Sequence, residues 1–252
     1  MNQKSNPAPN IQLKKGFELH EVALYLKDYK ILTFGDVHIG YEEALNKQGV
    51  LVPRFQFEET MKRIKRIMNS VPDDIEVVVI NGDLKHEFGG ISDQEWKETL
   101  QFLDYLGEHC REIVLVKGNH DTILGPIARK RNVKLMEHYV TDDGRICFLH
   151  GDKIPEPFPL CTSVIMSNEH PAVSLRDGLR SELYKCFLHG KWKGKELIVL
   201  PSFNVVTEGT DVAKEKLLSP FLHQNLDNFN VFVVADEVYQ FGKLKDIKKM
   251  GR

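Results

Sequence analysis

The sequence predicts an α/β protein in which a mainly parallel sheet carries helices and a second, more antiparallel sheet packs on it. Up to about residue 121, continuous β-branched runs alternate with stretches of helical periodicity, the pattern of parallel strands and their crossover helices. Beyond that point strand-like runs follow one another with few helices between them. The chain has 252 residues, 42% hydrophobic and 28% charged, which is the make-up of a soluble globular protein long enough to close a sizeable core without staples.

Residues 22–27 and 30–34 read as two short strands around Asp28 and Tyr29, the second running into Gly35 and Asp36. Pro53 opens a helix in which Phe57, Met61, Ile64 and Met68 form an apolar stripe. Residues 75–80 are a buried strand ended by Asn81, Gly82 and Asp83. Ser92 and Glu95 then make a capping box for a helix whose core face is Trp96, Leu100, Leu103 and Leu106. Residues 113–116 repeat the buried-strand pattern and run into Lys117, Gly118, Asn119, His120 and Asp121. In the second half, residues 145–149, 163–166, 183–189, 196–200 and 230–235 are strand-like, with a hairpin turn at 190–194. No linker or repeat divides the chain, so residues 1–252 are expected to form a single domain. Residues 1–12 are expected to be flexible. The end, with Lys243, Lys245, Lys248, Lys249 and Arg252 between residues 243 and 252, reads as a solvated basic tail.

Composition narrows the function. Lys plus Arg is 34 against 36 for Asp plus Glu, a formal charge of −2, so no global positive field marks a nucleic-acid or membrane-surface protein. Cys110, Cys147, Cys161 and Cys186 are widely spaced and lie mostly in apolar runs, as suits free thiols in the reducing cytoplasm. The polar start lacks a signal-peptide core, and no apolar run reaches the ~20 residues of a membrane span. The oligomeric state is left open, a homodimer included.

Aspartate, histidine and asparagine recur at the predicted strand ends: Asp36 and His38, then Asp83, then Asn119 and His120, then His150, then Asn168 and His170. Any one of these histidines alone reads as a hydrogen-bonded surface residue. A DxH triplet or a GD pair is expected about once by chance in such a chain, whereas GNHD arises in on the order of one random chain in several hundred. The ordered set therefore points to a site rich in oxygen and nitrogen ligands.

On these residues the sequence resembles the calcineurin-like metallophosphoesterases, whose signature is DxH, GD, GNHD or GNHE, a lone His, and GHxH. Asp36 and His38 match the first block, Gly82 and Asp83 the second, Gly118 to Asp121 the third, and His150 the fourth. The last departs from the pattern: Ser167, Asn168, Glu169 and His170 stand for GHxH, so asparagine replaces its first histidine. Gly82 to Glu87 is similar to the GDLxHE of the double-strand-break repair nucleases. The Glu169 to Val173 string EHPAV and the Leu200 to Phe203 string LPSF resemble the ICC-like and DNA-ligase-associated phosphoesterases.

The resemblance implies a four-layer α/β/β/α sandwich of two mixed β-sheets flanked by helices. It also implies hydrolysis at two divalent metal ions, Mn first, with Fe, Zn or Co as alternatives. Asp83 would bridge the ions, Asp36, His38 and His170 would complete one site, and Asn119, His150 and Asn168 the other. His120 would act as general acid with Asp121 orienting it, and His86 would face the phosphate. The expected substrate is a phosphodiester, DNA or RNA included. The alternatives are a phosphomonoesterase of small metabolites and a weakly active or inactive binding scaffold of the same fold; retention of His120 argues against the scaffold.

Overall fold

A computed structural model of the chain describes residues 11–51, 55–87, 90–121, 124–178 and 180–250. Residues 1–10 of the expected flexible start, and Pro53, lie outside the described residues. Gln12 does not belong to a flexible start, because it begins a strand.

The first sheet holds β1 (Gln12–Lys14), β2 (Phe17–His20), β3 (Ala23–Leu26), β4 (Ile31–Phe34), β5 (Val77–Asn81), β6 (Glu112–Val116) and β7 (Lys134–Met136), side by side in chain order. The first four are antiparallel neighbours, and β4 through β7 are parallel. Helix α1 (Tyr41–Lys47) and helix α2 (Gln56–Ser70) lie between β4 and β5, α3 (Asp93–Gly107) between β5 and β6, and α4 (Gly125–Lys130) between β6 and β7. The sequence reading found β3 to β6 and the two long helices but missed β1, β2, α1, α4 and β7.

Alternation along β5 divides the interior. Val78 and Ile80 face α2 and α3, packing with Ile64, Ile67, Phe102 and Leu106. Val79 faces the other way, into an apolar layer with Ile165, Phe187, Ile198 and Phe232 of the second sheet. The buried face of α2 is centred on Thr60, Ile64 and Ile67, with Phe57 and Met61 at its margin, a rotation of the expected stripe.

The second sheet contains β8 (Tyr139–Val140), β9 (Ile146–Leu149), β10 (Ser163–Met166), β11 (Pro171–Asp177), β12 (Arg180–Trp192), β13 (Lys195–Val199), β14 (Thr210–Asp211), β15 (Asn230–Val234) and β16 (Val238–Lys243). It is less antiparallel than expected: β9, β10 and β13 are three adjacent parallel strands, β11 and β14 pair in parallel, and the remaining pairs are antiparallel. Its outer face is covered by residues 212–229, with Phe221, Leu222 and Leu226 buried, and by α5 (Leu244–Met250). That helix corrects the expectation of a solvated tail. Leu244 and Ile247 anchor it in the core while Lys245, Lys248 and Lys249 share its remaining surface, so an amphipathic helix had been hidden by its charge.

The molecule is thus a sandwich of two mixed sheets flanked by helices. An isolated parallel bridge, Gly35 with Ser202, ties the carboxyl end of β4 to the loop after β13 and closes a seam between the sheets. Among the described residues no helix is long and apolar enough to cross a membrane. The four cysteines are free, three of them buried.

Candidate metal centre

The residues singled out in the sequence converge at this seam, at the carboxyl ends of parallel strands from both sheets. Backbone pairing continues past β4 and β5: Asp36 N–H donates to Gly82 O at 3.0 Å, and His38 N–H to Asp83 O at 3.0 Å. Gln56 Nε2 holds His38 O at 2.7 Å. From the other sheet, Asn168 N–H donates to Asp36 Oδ2 at 2.9 Å, while Ser202 Oγ and Asn204 N–H both hold Asp36 O at 3.0 Å.

Nine non-glycine residues among those described have positive φ, and five belong to this cluster: Asp36, His38, Asp83, Asn168 and His170. A side chain in the left-handed region costs about 1–3 kcal/mol and persists only where its surroundings fix it. Two glycines make the room. A Cβ on Gly82 would lie 2.0 Å from His150 Nδ1, and one on Gly118 would lie 2.0 Å from Asp83 Oδ1.

Two groups of ligand atoms meet at Asp83. His120 N–H holds its Oδ1 at 2.9 Å, leaving Oδ2 at 3.4 Å from His150 Nε2 and 3.9 Å from His38 Nε2. On one side His170 Nε2 lies 3.3 Å from both His38 Nε2 and Asp36 Oδ2. On the other, His150 Nε2 lies 2.9 Å from Asn119 Oδ1. Asp36 reaches both groups, its Oδ1 lying 3.7 Å from His150 Nδ1. The Asn168 side chain borders the same cavity, and its position is additionally fixed by the backbone bond to Asp36.

A cation fits this arrangement. Asp36 is fully buried, yet its Oδ1 has no hydrogen-bond partner among the described residues, and a buried carboxylate oxygen left alone is costly. Two buried carboxylates and three imidazoles, with no thiolate among them, suit first-row divalent ions such as Mn, Fe, Zn or Co. In the metal-free protein His150 takes over the neutralising role. Burial disfavours its charge, but Asp83 and Asp36 outweigh burial and raise it to about 9. Burial likewise opposes ionisation of Asp83, and the pairing with His150 overcomes it, holding the carboxyl well below its usual range. Burial and the facing His170 push His38 well down.

His120, His86 and Asp121 divide differently from the sequence expectation. His120 Nδ1 points at the carbonyl of His86, and its Nε2 lies 3.8 Å from Asp83 Oδ2. The Asp121 carboxylate, expected to orient His120, meets backbone amides. Its oxygens accept from Gly118 N at 3.0 Å, Leu84 N at 3.1 Å and Lys85 N at 3.5 Å, so it fastens the two loops to each other. Burial and the nearby Asp83 raise Asp121 to about 7. His86 sits with Nδ1 3.4 Å from His38 Nδ1, its ring centroid 4.4 Å from that of Tyr41. Burial and His120 push His86 down to about 4.

Sequence reasoning missed several supports. Glu95 of the capping box is fully buried, and its Oε1 accepts from His86 N at 3.0 Å and Glu87 N at 3.2 Å, so the box also clamps the His86 loop. Ser202, which grips Asp36, lies in the LPSF string, so that string was the available signal. His38, Asp83, Asn119, His120 and His170 line a cavity of about 420 Å³ bordered also by Tyr41, Thr207, Thr210 and Leu218.

The family model for calcineurin-like phosphoesterases matches residues 29–237. Among solved structures, the nuclease MPE of Pseudomonas putida superposes with a TM-score of 0.65 at 18% identity, covering 92% of this chain and 98% of that one. Vacuolar Protein Sorting 29 of Cryptosporidium parvum matches with a TM-score of 0.37 at 17% identity, over 84% of this chain and 97% of that one. A conserved uncharacterized protein of Streptococcus pneumoniae, a predicted phosphoesterase, gives 0.34 at 15% identity, over 84% and 97%. The search of curated proteins returned no match.

Proposed function

The chain belongs to the calcineurin-like phosphoesterase family, metal-dependent hydrolases of phosphoric esters, and on that premise we propose that it cleaves phosphodiester bonds of nucleic acid or nucleotides with two divalent ions. The observation that supports two ions is Asp83 Oδ2, which faces the His38 and His170 group on one side and the His150 and Asn119 group on the other. Asp36, His38 and His170 would hold one ion, Asn119, His150 and Asn168 the other, and Asp83 both. Mn is the ion proposed. When bound, such ions supply positive charge to the phosphoryl oxygens and make water nucleophilic at neutral pH.

His120 supplies the proton. With Nδ1–H directed at the His86 carbonyl, the tautomer is fixed and Nε2 is left on the cavity side, where its protonated form can serve the departing oxygen. His86, neutral near pH 7, offers a hydrogen bond to the phosphate rather than a charge. Diesters are favoured over monoesters because Tyr41 and Leu218 line the same cavity as the ligand cluster and offer surface to a second ester substituent. The free thiols favour the cytoplasm as its setting.

The test compares Mn-dependent hydrolysis of bis-p-nitrophenyl phosphate and p-nitrophenyl phosphate by wild type and His120→Ala. The expected result is a diester preference, with kcat falling by about 10² to 10⁴ in the variant while its Mn-dependent rise in melting temperature is retained. Preferential cleavage of the monoester, or no cleavage by protein that binds Mn, would overturn this reading.

A further inference from the structure

We infer that Asn204 is a substrate-binding donor whose side-chain NH₂ takes an anionic oxygen of the phosphate group; the inference rests on the reading of the site as a phosphoesterase centre. Asn204 borders the cavity beside Asn168, His170, Thr207 and Thr210, yet it is only 1% exposed. Three of its four polar groups are engaged. Its backbone N–H serves Asp36 O at 3.0 Å and Ser202 Oγ at 3.1 Å. Its carbonyl receives Lys185 Nζ and, at 3.3 Å, Arg63 Nη1. Its Oδ1 accepts from Val206 N–H at 2.6 Å, and that bond fixes the orientation of the amide, because an N–H requires the oxygen and not the nitrogen. The remaining group, Nδ2, has no hydrogen-bond partner among the described residues.

The surroundings show that this position is held deliberately. Lys185 is buried and directs its Nζ at the carbonyls of Ser202, at 3.0 Å, and Asn204. Arg63 reaches over from α2 to the carbonyls of Phe203, at 2.8 Å, and Asn204. A buried lysine and a half-buried arginine both committed to one turn are a costly setting in which to leave an amide donor unmet. The donor has a purpose if a ligand oxygen arrives at it. The same turn holds the carbonyl of Asp36, so the donor is at a fixed offset from the carboxylate cluster and can bind a phosphoryl oxygen not taken by the ions.

Two substitutions separate this role from a structural one. Asn204→Asp preserves shape and the bond from Val206 while turning the donor into an acceptor, and Asn204→Ala removes the donor without adding charge. The readout is the affinity of the Mn-loaded protein for inorganic phosphate by titration calorimetry, which needs no turnover, alongside the Mn-dependent shift in melting temperature. Both variants are expected to keep the Mn shift and to bind phosphate about ten- to a hundredfold more weakly, the loss of one charge-assisted hydrogen bond. Phosphate affinity equal to wild type in either variant, or no phosphate binding by the wild type, overturns the inference. Hydrolysis of bis-p-nitrophenyl phosphate by the wild type, measured in parallel, tells whether the phosphoesterase reading stands independently. If it does, Asn204→Ala should raise KM more than it lowers kcat.

Discussion

In the first sheet the parallel strands β4, β5 and β6 run out into Asp36 and His38, Asp83, and Asn119 and His120; in the second, β9, β10 and β13 run out into His150, Asn168 and His170, and the loop with Asn204. The backbone device is the same on both sides, since positive φ occurs at Asp36, His38 and Asp83 on one and at Asn168 and His170 on the other. The chemistry differs. Both carboxylates of the cluster come from the first sheet, whereas the second contributes imidazoles and amides. The attraction for a cation therefore resides in the helix-covered half, and the second half trims its geometry and its number of donors.

This division can be broken most severely at Asp83. Asp83→Asn should reduce hydrolysis to background and remove the Mn-dependent thermal shift, because the shared anionic oxygen is lost to both groups of ligands. His150→Gln, on the second sheet, should leave Mn binding measurable but weaker by about 10- to 100-fold, as expected for altered rather than abolished ligation. Equal losses in the two variants, measured by calorimetry with Mn, would erase the distinction between the halves.

A smaller effect is expected from protons. In the metal-free protein His150 is raised to about 9 from an ordinary 6.5, so between these values the folded state keeps a proton that the unfolded state has released. Its contribution to stability is complete below about pH 6.5 and is lost as pH rises through about 9. Chemical denaturation of the metal-free protein should show stability falling across that window. Mn requires the neutral imidazole, so binding at pH 8 should release close to one proton, read from calorimetry in buffers of different ionisation enthalpy. A flat profile would mean that Asp83 and Asp36 do not draw their counter-charge from the second sheet.

The mildest test concerns the outer wall of the second sheet. Leu244→Ala in α5 should cost about 2–4 kcal/mol of stability through loss of buried packing, with Mn affinity unchanged. A cost near zero would return residues 244–250 to the status of a tail.

The unequal legibility of the two halves in the sequence has the same physical root. Strand, helix and strand in succession announce parallel pairing, so β4, β5, β6 and the loops after them were readable from the apolar runs and their Gly and Asp endings. In the second half, β9 and β10 are parallel without a helix between them, and β13 reaches β10 through the hairpin of β11 and β12. Nothing local marks that, so the sheet read as antiparallel. The site residues were legible because their order along the chain is a motif. The supports were not, since Glu95 read as part of a capping box and no motif covers Asn204. The amide partners of Asp121 were not legible either, because adjacency in sequence to His120 does not say where a buried carboxylate finds its amides.

The bridge between Gly35 and Ser202 gives the centre a bearing on how the molecule opens. Local opening of either sheet alone would part Asp36 from His150 and His170, so a bound ion is a clasp that both sheets must release together. Hydrogen exchange at the amides of Asp36, Phe203 and Asn204 then measures grip as much as folding. Each increment in ion concentration above saturation should deepen the protection of both sheets at once.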